Sequence, residues 1–130
     1  MASKNDPQPF ILWSRLRKSF IYASRGISTT WKYEQNFRIH SILTVIIFIC
    51  AQLLKVPLIE QAILAVVVGG VLALELINTA IERTVDLVVE HYDLKAKIIK
   101  DTAAGAVFVF SLAALAAGGL IFIPKIIALF

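Results

Sequence analysis

Glu75-Leu-Ile-Asn78-Thr79-Ala-Ile-Glu82-Arg83-Thr84-Val-Asp86 follows directly on Ala62–Leu74, a stretch without a charged residue. Such a run predicts a bilayer-crossing helix, since about 20 mostly apolar residues cover about 30 Å of hydrocarbon. At 100° per residue, Asn78 lies about 60° to one side of Glu75 and Thr79 about 40° to the other, with Glu82 and Asp86 within about 20°. The polar groups therefore share one stripe. At 1.5 Å rise per residue, Glu75 sits roughly 10 Å membrane-side of Glu82, so the stripe runs from inside the bilayer to its surface. An acidic residue near mid-span costs on the order of 2.5–3.5 kcal/mol by insertion scales, and such residues normally face a bundle interior and carry function. The alternative is interhelical hydrogen-bond glue, a role open to Asn78 and Thr79 alone.

Outward from this helix, two more segments are apolar enough to span. The expected spans are about 40–58 (His40 to Leu54, reaching Leu58 if Lys55 snorkels), 61–82 and 102–123. Pro57 and Glu60 are expected to turn the chain after the first, Asp101 to cap the third, and Pro124 with Lys125 to close it. Lipid offers no partner for free backbone groups, so an all-α bundle follows. Before the first span, Trp13, Leu16 and Phe20 recur at intervals of three and four while Arg15, Arg17 and Lys18 point elsewhere. That pattern predicts an amphipathic surface helix over about 10–35, which a simple anchor would share. Gly69-Gly70, Gly105 and Gly118-Gly119 would let helices approach closely.

Of the 130 residues, 58% are hydrophobic, beyond a soluble domain's usual makeup, and one domain is the most the length supports. The net charge of +4 does not indicate nucleic acid, because the basic residues flank apolar runs instead of clustering on a polar surface. Lys4, Arg15, Arg17, Lys18, Arg25, Lys32 and Arg38 precede the first span, and Arg83, Lys95, Lys97 and Lys100 lie between the second and third. Only Lys55 and Lys125 fall opposite, so the positive-inside rule puts the N-terminus and second loop in the cytoplasm. Met1–Pro9 is polar and lacks the form of a cleavable signal. Cys50, the lone cysteine, is read as a small lipid- or core-facing residue.

A carboxylate buried like Glu75 suits a general base acting on a hydroxyl, and a wetter one like Glu82 suits Mg²⁺, which commonly takes one or two carboxylates plus phosphate oxygens. Glu34, in Lys32-Tyr-Glu34-Gln-Asn36-Phe-Arg38-Ile-His40, is close enough to the first span to approach Glu82, though a solvated surface glutamate is the simpler reading of the residue alone. Lys95, Lys97 and Lys100, in the loop after the second span, could neutralise phosphates or serve only as topology charges. No G-x-x-x-x-G-K-[ST], G-x-G-x-x-G or protein-kinase catalytic loop occurs, so a nucleotide would have to be held by metal-bridged carboxylates and lysines. His40 and His91 are isolated from one another and no Cys pair exists, which disfavours zinc and reads each as an interfacial or loop histidine.

Glu75-x-x-Asn78-Thr79-Ala80-Ile81-Glu82-x-x-x-Asp86, followed by Lys97-x-x-Lys100-Asp101-x-Ala-x-Gly105-Ala, resembles the signature of the small prokaryotic diacylglycerol kinase family. The resemblance extends from about Arg15 to Lys125. Glu34-x-Asn36-Phe37-Arg38-Ile39-His40 and Ala73-Leu-Glu75-Leu-Ile-Asn78-Thr79 look more like its undecaprenol kinase branch in Gram-positive bacteria than its diacylglycerol-specific branch. The resemblance implies a bacterial plasma-membrane homotrimer of three-span subunits with composite active sites, using ATP and Mg²⁺ to phosphorylate a lipid alcohol. By motif position it implies that Glu75 is the catalytic base and that Glu34 and Glu82 bind the metal. Asn78, Lys100 and Asp101 match polyphosphate-site residues, and Arg15 and Tyr22 match positions near the nucleotide and lipid entrance. Where family members carry Glu-Tyr-His this chain reads His91-Tyr92-Asp93, leaving Tyr92 and Asp93 as the candidate adenine contacts. Undecaprenol and diacylglycerol both remain open as acceptors, since each offers a primary hydroxyl at headgroup level. An ion-conducting subunit would also carry an intramembrane glutamate but would not need Glu82, Asp86, Lys100 and Asp101 at the cytoplasmic edge, and a non-catalytic scaffold would use the stripe for helix association alone and lose assembly on Glu75→Gln.

Overall fold

A computed structural model describes residues 12–130, all helix and short connections. The expected start of the surface helix at Phe10, the polar segment Met1–Pro9 and Lys4 lie outside the described residues. Helix α1 spans Trp13–Tyr33, α2 Gln35–Leu53, α3 Leu58–Val88 and α4 Leu94–Ile127. The last three are long and apolar enough to cross a membrane.

One residue separates α1 from α2. Glu34 is extended, with φ −104° and ψ 114°, and serves as C-cap of the first helix and N-cap of the second. Its N–H donates to the Thr30 carbonyl at 2.8 Å, and its own carbonyl accepts from the Arg38 N–H at 3.3 Å. The chain bends there without glycine or proline, and α1 leaves most of its length uncovered, burying only Thr30.

Four residues turn the chain from α2 into α3. Lys55 takes a left-handed φ of 49°, a conformation that costs a non-glycine residue roughly 1–2 kcal/mol. Side chains brace it: Gln61 donates to the Val56 carbonyl at 2.8 Å and its oxygen accepts from Gln52 at 2.8 Å. Beneath the turn, Ala51, Val56, Leu64 and Ile121 form a buried cluster joining α2, α3 and α4. Glu60 lies in the first turn of α3, past Pro57 as N-cap, and pairs with Lys125.

Helices α3 and α4 pack antiparallel along their length. The Lys125–Glu60 pair closes one end, the Lys100–Asp86 pair the other, and Gly70 faces Phe110 between them. A Cβ at Gly70 would run into the Phe110 ring, so this glycine sets the helix separation. The other glycines have no such neighbour, apart from an ordinary contact of Gly119 with Ile123 on its own helix.

Two expectations are corrected at the ends of α4. The helix starts eight residues before Thr102, because Asp93 Oδ1 accepts from the N–H groups of Lys95 at 2.7 Å and Ala96 at 3.0 Å and is the true N-cap. Asp101 is therefore inside the helix, paired with Lys97 one turn earlier, and Lys95, Lys97 and Lys100 are helical instead of lying in a loop. At the other end Pro124 does not close the helix, which runs on to Ile127. Proline forfeits one hydrogen bond so near a terminus, and its carbonyl still accepts from Ala128 at 3.1 Å.

At 1.5 Å per residue α3 and α4 are about 46 and 51 Å long, well beyond about 30 Å of hydrocarbon. With Glu60 and Lys125 taken to mark one interface, the excess falls at the other end, where Asp86 of α3 pairs with Lys100 of α4.

Candidate active site

The polar stripe of α3 divides by burial as its spacing predicts. Glu75 is 4% exposed and Thr79 5%, both turned to the interior; Asn78 and Glu82 are half-buried, and Asp86 is exposed. The apolar face of α3, with Leu64, Val68 and Val71 buried ahead of Glu75, carries the carboxylate inward by the same periodicity.

Glu75 meets His40 across the α2–α3 contact, with His40 Nε2 3.3 Å from Glu75 Oε1. His40 also heads an apolar groove of about 500 Å³ between α2, α3 and α4, whose walls include Leu43, Ile47, Val71, Leu115 and Phe122.

One turn toward the surface, Asn78 Nδ2 donates to Glu82 Oε1 at 3.0 Å, leaving Asn78 Oδ1 buried with no partner among the described residues. Glu34 approaches the same end of α3 through Arg83, whose Nη2 lies 3.3 Å from Glu34 Oε1. Arg83 also sits over the Tyr33 ring, 5.8 Å from its centre, tying α3 to the α1–α2 junction. Beyond it, Lys100 donates to both Asp86 oxygens at 2.9 and 3.2 Å.

The other expected residues stay apart from this group within one chain. Asp101 is engaged by Lys97, Asp93 caps α4 through one oxygen, and Tyr92 is exposed in the connection before it. Arg15 and Tyr22 lie roughly 28 and 18 Å along α1 from its Glu34 end. Tyr22 stacks beneath Arg25 at 6.0 Å, and among the described residues neither is bonded to α3.

The sequence reads Arg83 only as a topology charge and His40 only as an interfacial or loop histidine, and it assigns neither these two nor Asp86 a place among the site residues. Periodicity within a helix reveals shared faces; it cannot reveal a contact such as Arg83–Glu34, made across 49 residues. The one available signal was the position of His40 at the membrane end of a segment otherwise turning apolar.

The site has donors for a hard cation. Among the described residues no three His, Cys, Asp or Glu side chains gather into a complete cage. The oxygen donors at this end of α3 are Glu82, Asn78 Oδ1, which is without a partner among the described residues, and Glu34, which is engaged by Arg83. Mg²⁺ suits such a set, since it commonly leaves several positions to water and substrate phosphate.

Comparison with known proteins fits this arrangement. Residues 21–122 match the family described as prokaryotic diacylglycerol kinase. The undecaprenol kinase of Bacillus subtilis (strain 168) is 44% identical over 113 residues, which make up 87% of this chain and 92% of that protein. A diacylglycerol kinase of Synechocystis sp. is 43% identical over 112 residues, 85% of this chain but 64% of that protein. A diacylglycerol kinase of Helicobacter pylori is 31% identical over 94 residues, 72% of this chain and 73% of its own length. With the family match running through all three membrane-capable helices and the acidic stripe, the chain belongs to the prokaryotic diacylglycerol kinase family and is a membrane lipid kinase.

Proposed function

We propose that this kinase transfers the γ-phosphoryl group of ATP to undecaprenol, with Glu75 as the catalytic base. The observation that carries the chemistry is a carboxylate only 4% exposed within an apolar helix, in contact with a histidine that heads an apolar groove. The acceptor rests on the 44% identity with an undecaprenol kinase over nearly that protein's full length.

The lipid approaches sideways from the bilayer along the groove, bringing its hydroxyl to Glu75. The hydroxyl proton passes to Glu75 Oε2, the oxygen not turned toward His40, as the acceptor oxygen bonds to the γ-phosphorus and the bond to the β–γ bridging oxygen breaks. Direct in-line transfer of this kind leaves no phosphoenzyme. Lys100 and the Asn78 amide neutralise charge on the transferring group. Glu34, Glu82 and Asn78 Oδ1 would hold Mg²⁺, which would supply further charge neutralisation on the phosphates. Arg15, Tyr22, Tyr92, Asp93 and Asp101 complete the nucleotide site. Asp93 has one carboxylate oxygen beyond the one that caps α4 to offer an adenine amino group.

Arg15 and Tyr22 reach that site from a neighbouring subunit, in a homotrimer with shared active sites. Helix α1 lies in the interface plane, with Trp13 and Phe20 exposed for burial in lipid, and the N-terminus faces the bacterial cytoplasm, where ATP is found.

A diacylglycerol acceptor is the second reading, favoured by the 43% identity with a protein of that name. Phosphorylation of undecaprenol and diacylglycerol by the purified protein, side by side in mixed micelles with Mg²⁺-ATP, decides between them. Undecaprenol labelling that Glu75→Gln abolishes is the expected result. Preference for diacylglycerol would keep the mechanism and replace the acceptor, and near-wild-type activity in Glu75→Gln would overturn the mechanism.

A further inference from the structure

His40 has no part in the reaction set out above, yet it is the side chain that joins the groove to the base. Its Nε2 lies 3.3 Å from Glu75 Oε1 while its ring lines the groove. Among the described residues no other side chain is hydrogen-bonded or ion-paired to the Glu75 carboxylate. Without that contact, a buried carboxylate on three rotatable bonds has no side-chain partner among the described residues to fix its direction.

The polar side chains in the groove lining are His40, Thr44 and Ser111. Thr44 donates its hydroxyl to the His40 carbonyl at 2.8 Å, and the Ser111 hydroxyl is buried without a partner among the described residues. Of the three, His40 is the one in contact with the Glu75 carboxylate.

We propose that His40 is a positioning residue for the acceptor step, holding Glu75 through Oε1 so that Oε2 takes the proton of a hydroxyl delivered by the groove. The proposal rests on the reading of Glu75 as the base. The 3.3 Å approach is long for a strong hydrogen bond, as is common before substrate binds, and it shortens when the lipid fills the groove. A reacting group misplaced by about 1 Å can lose on the order of 10²-fold in rate, so the effect falls on acceptor turnover and leaves nucleotide binding alone.

The test is steady-state kinetics of the full chain in mixed micelles with undecaprenol and Mg²⁺-ATP. His40→Leu is expected to lower kcat about 10²-fold while the KM for ATP stays within about twofold. His40→Gln, whose amide N–H reaches the place of Nε2, should recover to within about tenfold of wild type, and His40→Asn, whose amide stops at the place of Nδ1, should stay at least about tenfold below Gln. Glu75→Asp withdraws the carboxylate by one methylene; in that background His40→Leu should cost less than about tenfold, because the contact is already lost. Unchanged kcat in His40→Leu, a matching rise in the KM for ATP, or an undiminished loss in the Glu75→Asp background would overturn the proposal. If His40→Leu does not fold, equal activity of the Gln and Asn variants overturns it instead. Activity surviving in Glu75→Gln removes the base itself, whereas an inactive Glu75→Gln beside an intact His40→Leu removes only the positioning role.

Discussion

Glu34 combines two local roles whose demands differ. As the one extended residue between α1 and α2 its backbone position is set by helix ends on both sides, while its side chain is half-buried and paired with Arg83. A guanidinium at 3.3 Å occupies the carboxylate as a cation would, so metal binding must displace or share it. Glu34→Gln is expected to raise the Mg²⁺ concentration for half-maximal activity at least about tenfold, or about 1.4 kcal/mol, with unfolding temperature little changed. An unaltered Mg²⁺ titration would remove Glu34 from the metal site. Lys100 is placed likewise with opposite charge: it rests on Asp86 at the exposed end of α3, a solvent-screened pair that a triphosphate would displace at little cost. Lys100→Met should therefore raise the KM for ATP and lower kcat, the latter by about 10²-fold if Lys100 acts on the transferring group. At this scale the stripe could be read from spacing alone, since Glu75, Asn78, Thr79 and Glu82 follow from 3.6 residues per turn. His40 and Arg83 could not, because their partners lie on other helices.

At the scale of the element, the start of α4 shows where reading from hydropathy stops. Leu94–Asp101 is too polar to belong to a span, so periodic apolar content places the helix at Thr102, yet the N-cap bonds from Asp93 begin it eight residues earlier. A helix continues past the membrane wherever its backbone bonds continue, and hydropathy measures only the buried part. Those two extra turns carry Lys97 and Lys100 toward the acidic end of α3. Asp93→Ala removes the acceptor of two N–H groups and should cost about 1 kcal/mol, read as a lower unfolding temperature in detergent. Asp93→Asn or Asp93→Ser should restore most of it; if Asp93 also touches adenine, stability returns in these variants while the KM for ATP stays raised. The close approach of α3 and α4 was legible in the glycines, but only Gly70 carries it, because only there does a bulky neighbour, Phe110, lie against the backbone. Gly70→Leu should destabilise the chain, and adding Phe110→Ala should recover part of that loss, since the clash is between those two groups.

For the whole molecule, the geometry of one chain is itself an argument about assembly. Glu75, Asn78, Glu82 and Asp86 share one stripe of α3, with Lys100 of α4 paired to Asp86 and Glu34 brought to the same end by Arg83. Arg15 lies roughly 28 Å along α1 from the Glu34 end of that helix, with no side-chain bond to α3 among the described residues. If Arg15 serves the nucleotide from a neighbouring subunit, a cyclic homo-oligomer repeats that arrangement at every interface. Two inactive variants should then complement each other. Arg15→Met retains an intact Glu75, and Glu75→Gln retains an intact Arg15, so mixed assemblies contain interfaces in which both residues are native. Random pairing at equal expression makes about a quarter of the interfaces native, and activity should return to about that fraction of wild type. Sites built within single chains would leave the mixture as inactive as its parents. A fraction well below a quarter, with mixed assembly demonstrated by differently tagged chains, would mean that each site requires more than one native interface.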